Sequence, residues 1–122
     1  MDVIAAILVA VVALLHGWFL VLEMFLWQKP LGLRTFGLTP ADAKTTSTLA
    51  ANQGLYNGFL AAGLALTYVA SPTTAFDGRV FLLTAVIIAG LYGAATVSRR
   101  ILMVQALPAV LALAAVIAAG RP

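Results

Sequence analysis

The sequence predicts an all-α fold, a polytopic membrane protein built as a four-transmembrane-helix bundle, and three observations carry that expectation. Apolar residues make up 63% of the chain and charged residues 9%, with a mean hydropathy of +1.07. So few charges cannot cover the surface of a soluble domain. The apolar residues fall into four runs, each near the roughly 20 residues that a crossing helix needs. Finally, 122 residues are used up by four such runs and their loops, which leaves one transmembrane domain and no separate soluble one.

The expected helices lie at about 3–27, 41–70, 78–97 and 101–119. The first run carries Asp2 where a signal peptide would carry a cation, and it continues well past a signal's apolar core, so it reads as a retained span. It stops at the segment QKPLG, because Pro30 and Gly32 do not continue a helix. The second begins at TPAD, with Thr39 as N-cap, Pro40 at the first helical position and Asp42 in the acidic first turn. Its early residues Lys44 to Thr48 are polar, its later ones apolar, and it ends before SPTTAFDG. The third run stops at SRR and the fourth follows at once. Pro108 falls inside the fourth run, where a proline removes a backbone donor, so a kinked helix is expected.

Charge sets the expected orientation. Lys29, Arg34, Lys44, Arg99 and Arg100 fall in the first and third loops; Arg79 and Arg121 fall on the other side, offset by Asp2 and Asp77. Five cations against two put the first and third loops in the cytoplasm and both termini outside. Scattered cations of this kind orient a membrane protein and do not build a nucleic-acid surface, so no nucleic-acid partner is expected; the lipid bilayer is. Cysteine is absent, which excludes disulfides, thiolate metal sites and a cysteine nucleophile. The GxSxG, HExxH, Walker A and GxGxxG motifs are also absent.

The polar residues of the spans carry the remaining information. His16 and Glu23 are seven residues apart, close to two turns, and share a face of the first helix. Asn52, Gln53, Tyr56 and Asn57 span an arc of about 140° at 100° per residue on the second. Tyr92 lies on the third helix and Gln105 one turn into the fourth. All fall between the midplane and the cytoplasmic end, which predicts one converging polar site in that leaflet. In this reading Glu23, Tyr92 and Asn57 are the catalytic candidates, with Glu23 as acid or base. His16, Asn52, Gln53, Tyr56 and Gln105 are the ligand-binding candidates. No metal site is expected, since one histidine cannot build one.

Each residue also has a plain structural reading. Glu23 can reach the headgroups, capped by Lys29 or Arg100; His16 can be a satisfied core imidazole. The amides can be interhelical glue at about 1 kcal/mol per bond. Trp18 and Trp27 read as packing and interfacial anchors. Small-residue faces at Gly54/Gly58 and Gly90/Gly93 suit close helix approach and make a homo-oligomer an expected arrangement. The function that follows is a membrane protein binding, and in one version transforming, a small lipophilic molecule. The alternatives are a proton-coupled transporter subunit and a purely structural membrane protein.

The segments LEMFLW (22–27), FGL (36–38), LAANQGLYNGFLAAGL (49–64), GLYGAATVSRRIL (90–102) and VQALPA (104–109) resemble domain-of-unknown-function family 1304, small bacterial integral membrane proteins. That resemblance covers essentially the whole chain. It implies four transmembrane helices in a bacterial inner membrane and brings no activity. A second, shorter similarity, at YNG (56–58) and GLY (90–92), is to styrene oxide isomerase, which implies haem b and an epoxide isomerase activity with Asn57 and Tyr92 orienting the oxygen. Where that enzyme carries its axial histidine this chain has Ala51 and Asn52, so His16 would have to ligate the iron from another helix.

Overall fold

The computed structural model describes residues 2–122. The described residues form α1 (Val3–Met24), α2 (Pro30–Phe36), α3 (Pro40–Leu66), α4 (Pro72–Thr96), a π-helical turn (Leu102–Ala106) and α5 (Leu107–Ala119), with no strand among them. Three helical stretches are long and apolar enough to cross a membrane: α1, α4 and Leu102–Ala119. The molecule is therefore a helical membrane bundle. α3 has the length, at 27 residues, but its first turns carry Asp42, Lys44 and a run of hydroxyl side chains.

The chain divides into two compact units, with the divisions falling inside α1 and α3. The first joins α1 up to Leu15 with Leu60–Pro122. Its core is Ala5, Val9 and Val12 of α1, Leu64 of α3, Leu83 and Val86 of α4, and Ala109, Ala112 and Val116 of α5. Steps of three and four along α1, α4 and α5 make one buried stripe on each, the pattern of a packed bundle. The opposite faces are apolar as well: Phe81 of α4 is 72% exposed and Leu14 of α1 74%. A face like that suits lipid and not water, the reverse of a soluble helix.

α4 and the π turn come unusually close. A Cβ added to Gly90 would stand 2.9 Å from the Ala106 Cβ and 3.0 Å from its backbone nitrogen. The π turn has its cause in Pro108. A proline in a regular helix drives its ring against the carbonyl four residues back. One wider turn just before it, closed by the Leu107 N–H donating to the Leu102 carbonyl, absorbs the misfit. The expected irregularity is thus a widened turn and not a late helix start.

The second unit, His16–Phe59, holds the end of α1, the turn after it, α2 and most of α3. α1 ends at Met24, earlier than its apolar run, and α2 begins at Pro30 where a helix stop was expected. Proline suits the first turn of a helix as well as it suits a break. α2 stops at Gly37, which adopts φ 64° while its N–H and that of Leu38 both donate to the Leu33 carbonyl. Gly32 presses on the preceding turn so closely that an added Cβ would lie 1.9 Å from the Leu26 carbonyl oxygen. α3 starts as its sequence requires, with the Asp42 N–H donating to Thr39 Oγ1 at 3.2 Å. α3 ends four residues earlier than its apolar run, at Leu66. α4 starts six residues earlier than expected, because Ser71 caps it: its Oγ accepts from the Thr74 N–H and Pro72 follows as the first helical residue.

Both small-residue faces expected as oligomer seams are filled by the chain's own helices. Gly54 meets Glu23 and Met24, Gly58 meets Leu20, Gly90 meets Ala106 and Gly93 meets Ile101. Gly90→Val should destabilise the fold by about 1–3 kcal/mol, since backbone and not a flexible side chain blocks the new atoms. Gly17→Ala, with nothing within 4 Å of the new Cβ, should leave stability unchanged or raised. Unfolding midpoints of the two variants in one detergent check the contrast.

Candidate functional site

A carboxylate on a membrane-crossing helix has no water to accept hydrogen bonds from, so the protein must supply the donor. α1 places Glu23 in its last turn, and α3 answers with Asn57. The Asn57 Nδ2–H donates to Glu23 Oε1 at 2.6 Å. This geometry depends on Gly54, one turn before Asn57. A Cβ there would stand 3.0 Å from the Glu23 Cβ and 2.8 Å from the Met24 side chain, so only a residue without one lets α1 and α3 approach this far. Asn57 is 6% exposed, while Glu23 is half-buried. The acceptor is a carboxylate, and hydrogen bonds of that kind are roughly twice as strong as neutral ones. Lys29, expected as a cap, makes no ion pair with Glu23; the ion pair among the described residues is Arg121–Asp77, at 2.9 Å.

Glu23 also lines a cleft of about 320 Å³, together with Met24, Phe25, Trp27, Gln28, Lys29 and Ser47. Trp27 holds its shape. Its ring packs on Phe36 of α2 at 4.7 Å between centroids, and its Nε1–H donates to Thr46 Oγ1 at 3.0 Å. Thr46 in turn donates to the Asp42 carbonyl. Gly32 fixes the turn from the other side by touching the Leu26 and Trp27 carbonyls. The site is therefore a carboxyl group, held by an amide, at one wall of a small cleft that Phe25 and Trp27 also line.

The expected wall of four polar residues on α3 is split. Asn57 shares the buried face with Gly54, whereas Asn52, Gln53 and Tyr56 are exposed. The 140° arc is too wide for one interface, and the glycine decided which edge of it turns inward. Tyr56 instead meets Phe59 edge to face at 5.9 Å. His16 is 1% exposed with its ring 5.4 Å from that of Phe19, packed as a core residue. At 1% exposure the imidazole has no open side against which a haem could lie, so the placement does not fit the haem role. No group of three His, Cys, Asp or Glu able to hold a metal occurs among the described residues. Tyr92 and Gln105 belong to the other unit, where Tyr92 is 72% exposed and Gln105 half-buried on the π turn.

Sequence reasoning passed over a second polar cluster, in the first unit. Arg79 reads in the sequence as an orientation signal, yet it is 6% exposed. Its Nε–H donates to Thr67 Oγ1 at 2.9 Å and its Nη2–H to the Thr67 carbonyl at 3.0 Å. Its guanidinium lies 5.0 Å from the centre of the Tyr68 ring. Tyr68 donates to the Ala6 carbonyl. Arginine suits this place because the last carbonyls of α3 need donors and the helix end is partially negative. The polar side chains are thus not confined to one end of the helices. The signal available in the sequence was the Thr67-Tyr68 pair just past the end of α3, facing a lone arginine early in α4.

Fold and site together define a small helical membrane protein carrying one amide-clamped carboxylate on a crossing helix. The chain belongs to the family described as Protein of unknown function (DUF1304), whose pattern matches residues 10–117. It is 31% identical over 115 residues to the uncharacterised protein YpaA of Lactococcus lactis subsp. lactis (strain IL1403), covering 93% of this chain and 96% of that one. No solved structure matches it. These matches do not show the similarity to styrene oxide isomerase.

Removing the donor should cost more than removing the charge. Asn57→Ala should lose about 1.5–3 kcal/mol, the range for a hydrogen bond to a charged group. Glu23→Gln should be no less stable than the native chain, because a neutral amide still accepts from Asn57 and needs less solvation. A double-mutant cycle of the two, read by equilibrium unfolding, tests the coupling. Arg79→Ala should cost about 2–3 kcal/mol through its two lost bonds, read by the same unfolding measurement.

Proposed function

We propose that this protein binds a small lipophilic molecule at the Glu23–Asn57 pair, with the cleft taking its apolar part. The observation that carries the reading is that one residue, Glu23, is at once tied to the bundle by the Asn57 hydrogen bond and part of the cleft wall. A volume of about 320 Å³ is at the small end of the range for ligand pockets, roughly 300–1,000 Å³. The lining is mixed: Glu23, Gln28, Lys29 and Ser47 supply polar groups, and Met24, Phe25 and Trp27 the apolar part. Glu23 and Asn57 orient the ligand's polar group, and Met24, Phe25 and Trp27 hold the remainder.

In this reading α3 is a fourth crossing; its 27 residues span about 40 Å at 1.5 Å per residue. Lys29, Arg34, Lys44, Arg99 and Arg100 then face the cytoplasm and both termini lie outside. The cleft opens at the cytoplasmic end of α1, where a molecule dissolved in the inner leaflet reaches it sideways. The membrane is the cell membrane of a bacterium, as the Lactococcus relative supports.

Protein purified gently, extracted with organic solvent and examined by mass spectrometry should yield a retained lipophile in stoichiometric amount. Glu23→Gln and Asn57→Ala should each lower its yield several-fold, with Arg79→Ala as the control for general loss of stability. Native protein that carries no lipophile above the level of bulk lipid, or variants that carry as much as the native chain, would overturn the proposal.

A further inference from the structure

We infer that the polar group of the ligand is a cation, an ammonium or substituted ammonium on a short apolar body. This rests on the reading of the Glu23 cleft as a ligand site and names the chemistry of what enters it. The Glu23 carboxylate is provided with a hydrogen bond but not with a countercharge: Asn57 gives an amide N–H, and Lys29, the cation lining the same cleft, makes no ion pair with it. An ionised carboxylate can accept several hydrogen bonds, and the Asn57 N–H supplies one of them. Removing one partner from a buried charge pair leaves a costly uncompensated charge, and a site that holds the anion alone gains most when the ligand brings the cation.

The walls point the same way. Phe25 and Trp27 line the cleft, and aromatic faces attract ammonium groups, most strongly when water is excluded. An anionic ligand would meet Glu23 as a like charge. A neutral one would leave the carboxylate's charge unanswered. Lys29 stands at the exposed rim on a long flexible stem that lets its ammonium stay in water, and Gln28 beside it offers a carbonyl oxygen to a ligand N–H.

Three probes with one six-carbon tail separate the possibilities: hexyltrimethylammonium, 1-hexanol and heptanoate. Each is titrated into the full chain in nanodiscs of zwitterionic lipid. The readout is Trp27 emission in a Trp18→Phe background, so that the signal comes from the cleft. Hexyltrimethylammonium should change the emission saturably and bind at least tenfold more tightly than the other two. Glu23→Gln should bring it down to the level of hexanol, and Lys29→Gln should tighten it several-fold by removing a competing cation. If hexanol or heptanoate binds as tightly as the ammonium probe, the cation inference falls and the ligand site stands. It falls equally if Glu23→Gln keeps the preference or if Lys29→Gln weakens ammonium binding. If no probe gives a saturable change, the ligand site falls with it.

Discussion

A charged side chain on a helix that crosses a membrane costs about 2.5–3.5 kcal/mol to insert by insertion scales, and the cost is contained only if the protein supplies the partners water would have given. The hydrogen bond from Asn57 to Glu23 is that supply, and much of the second unit follows from making it. Asn57 must face inward, which sets the rotation of α3 and leaves Asn52, Gln53 and Tyr56 outside. α1 and α3 must come close, which requires Gly54 opposite Glu23 and Met24. With that contact fixed, α1 ends a turn early and the chain folds back through α2. The result is a cleft whose wall includes the carboxylate.

The first unit solves the same problem with the opposite charge. Arg79 needs acceptors where water is scarce, and the end of α3 has carbonyls that need donors. The two needs cancel. The Tyr68 ring covers the guanidinium and its hydroxyl ties back to α1. The difference between the two clusters is access. Arg79 is spent on the helix end it caps and is 6% exposed, whereas Glu23 stays at the edge of a cleft. That difference makes one cluster a clamp and the other a candidate for binding.

Several features were legible in the sequence because they depend on local chemistry alone. The apolar runs reported a membrane bundle. Thr39-Pro40 marked the start of α3, and Pro108 marked an irregularity before α5. Glu23 announced itself by the cost of its charge. Some local signals were equally present but competed with stronger ones. Ser71-Pro72 caps α4, yet the polar segment after it reads as loop; Pro30 starts a helix where a stop was the simpler reading. Arg79 obeyed a counting rule for orientation while serving a buried contact.

The sequence by itself determined that the chain is a helical membrane protein, roughly where its helices run, and which polar side chains would have to find partners. Composition and periodicity are properties of each residue and its near neighbours, so they survive without knowledge of the fold. Only the tertiary structure decided which polar residues met. Asn57 and Glu23 are 34 positions apart, and Arg79 and Thr67 are 12 apart across the connection from α3 to α4. Nothing in a helical period says which edge of a 140° polar arc turns inward. That choice belonged to the glycine beside it, whose missing Cβ matters only when a second helix comes to occupy the space.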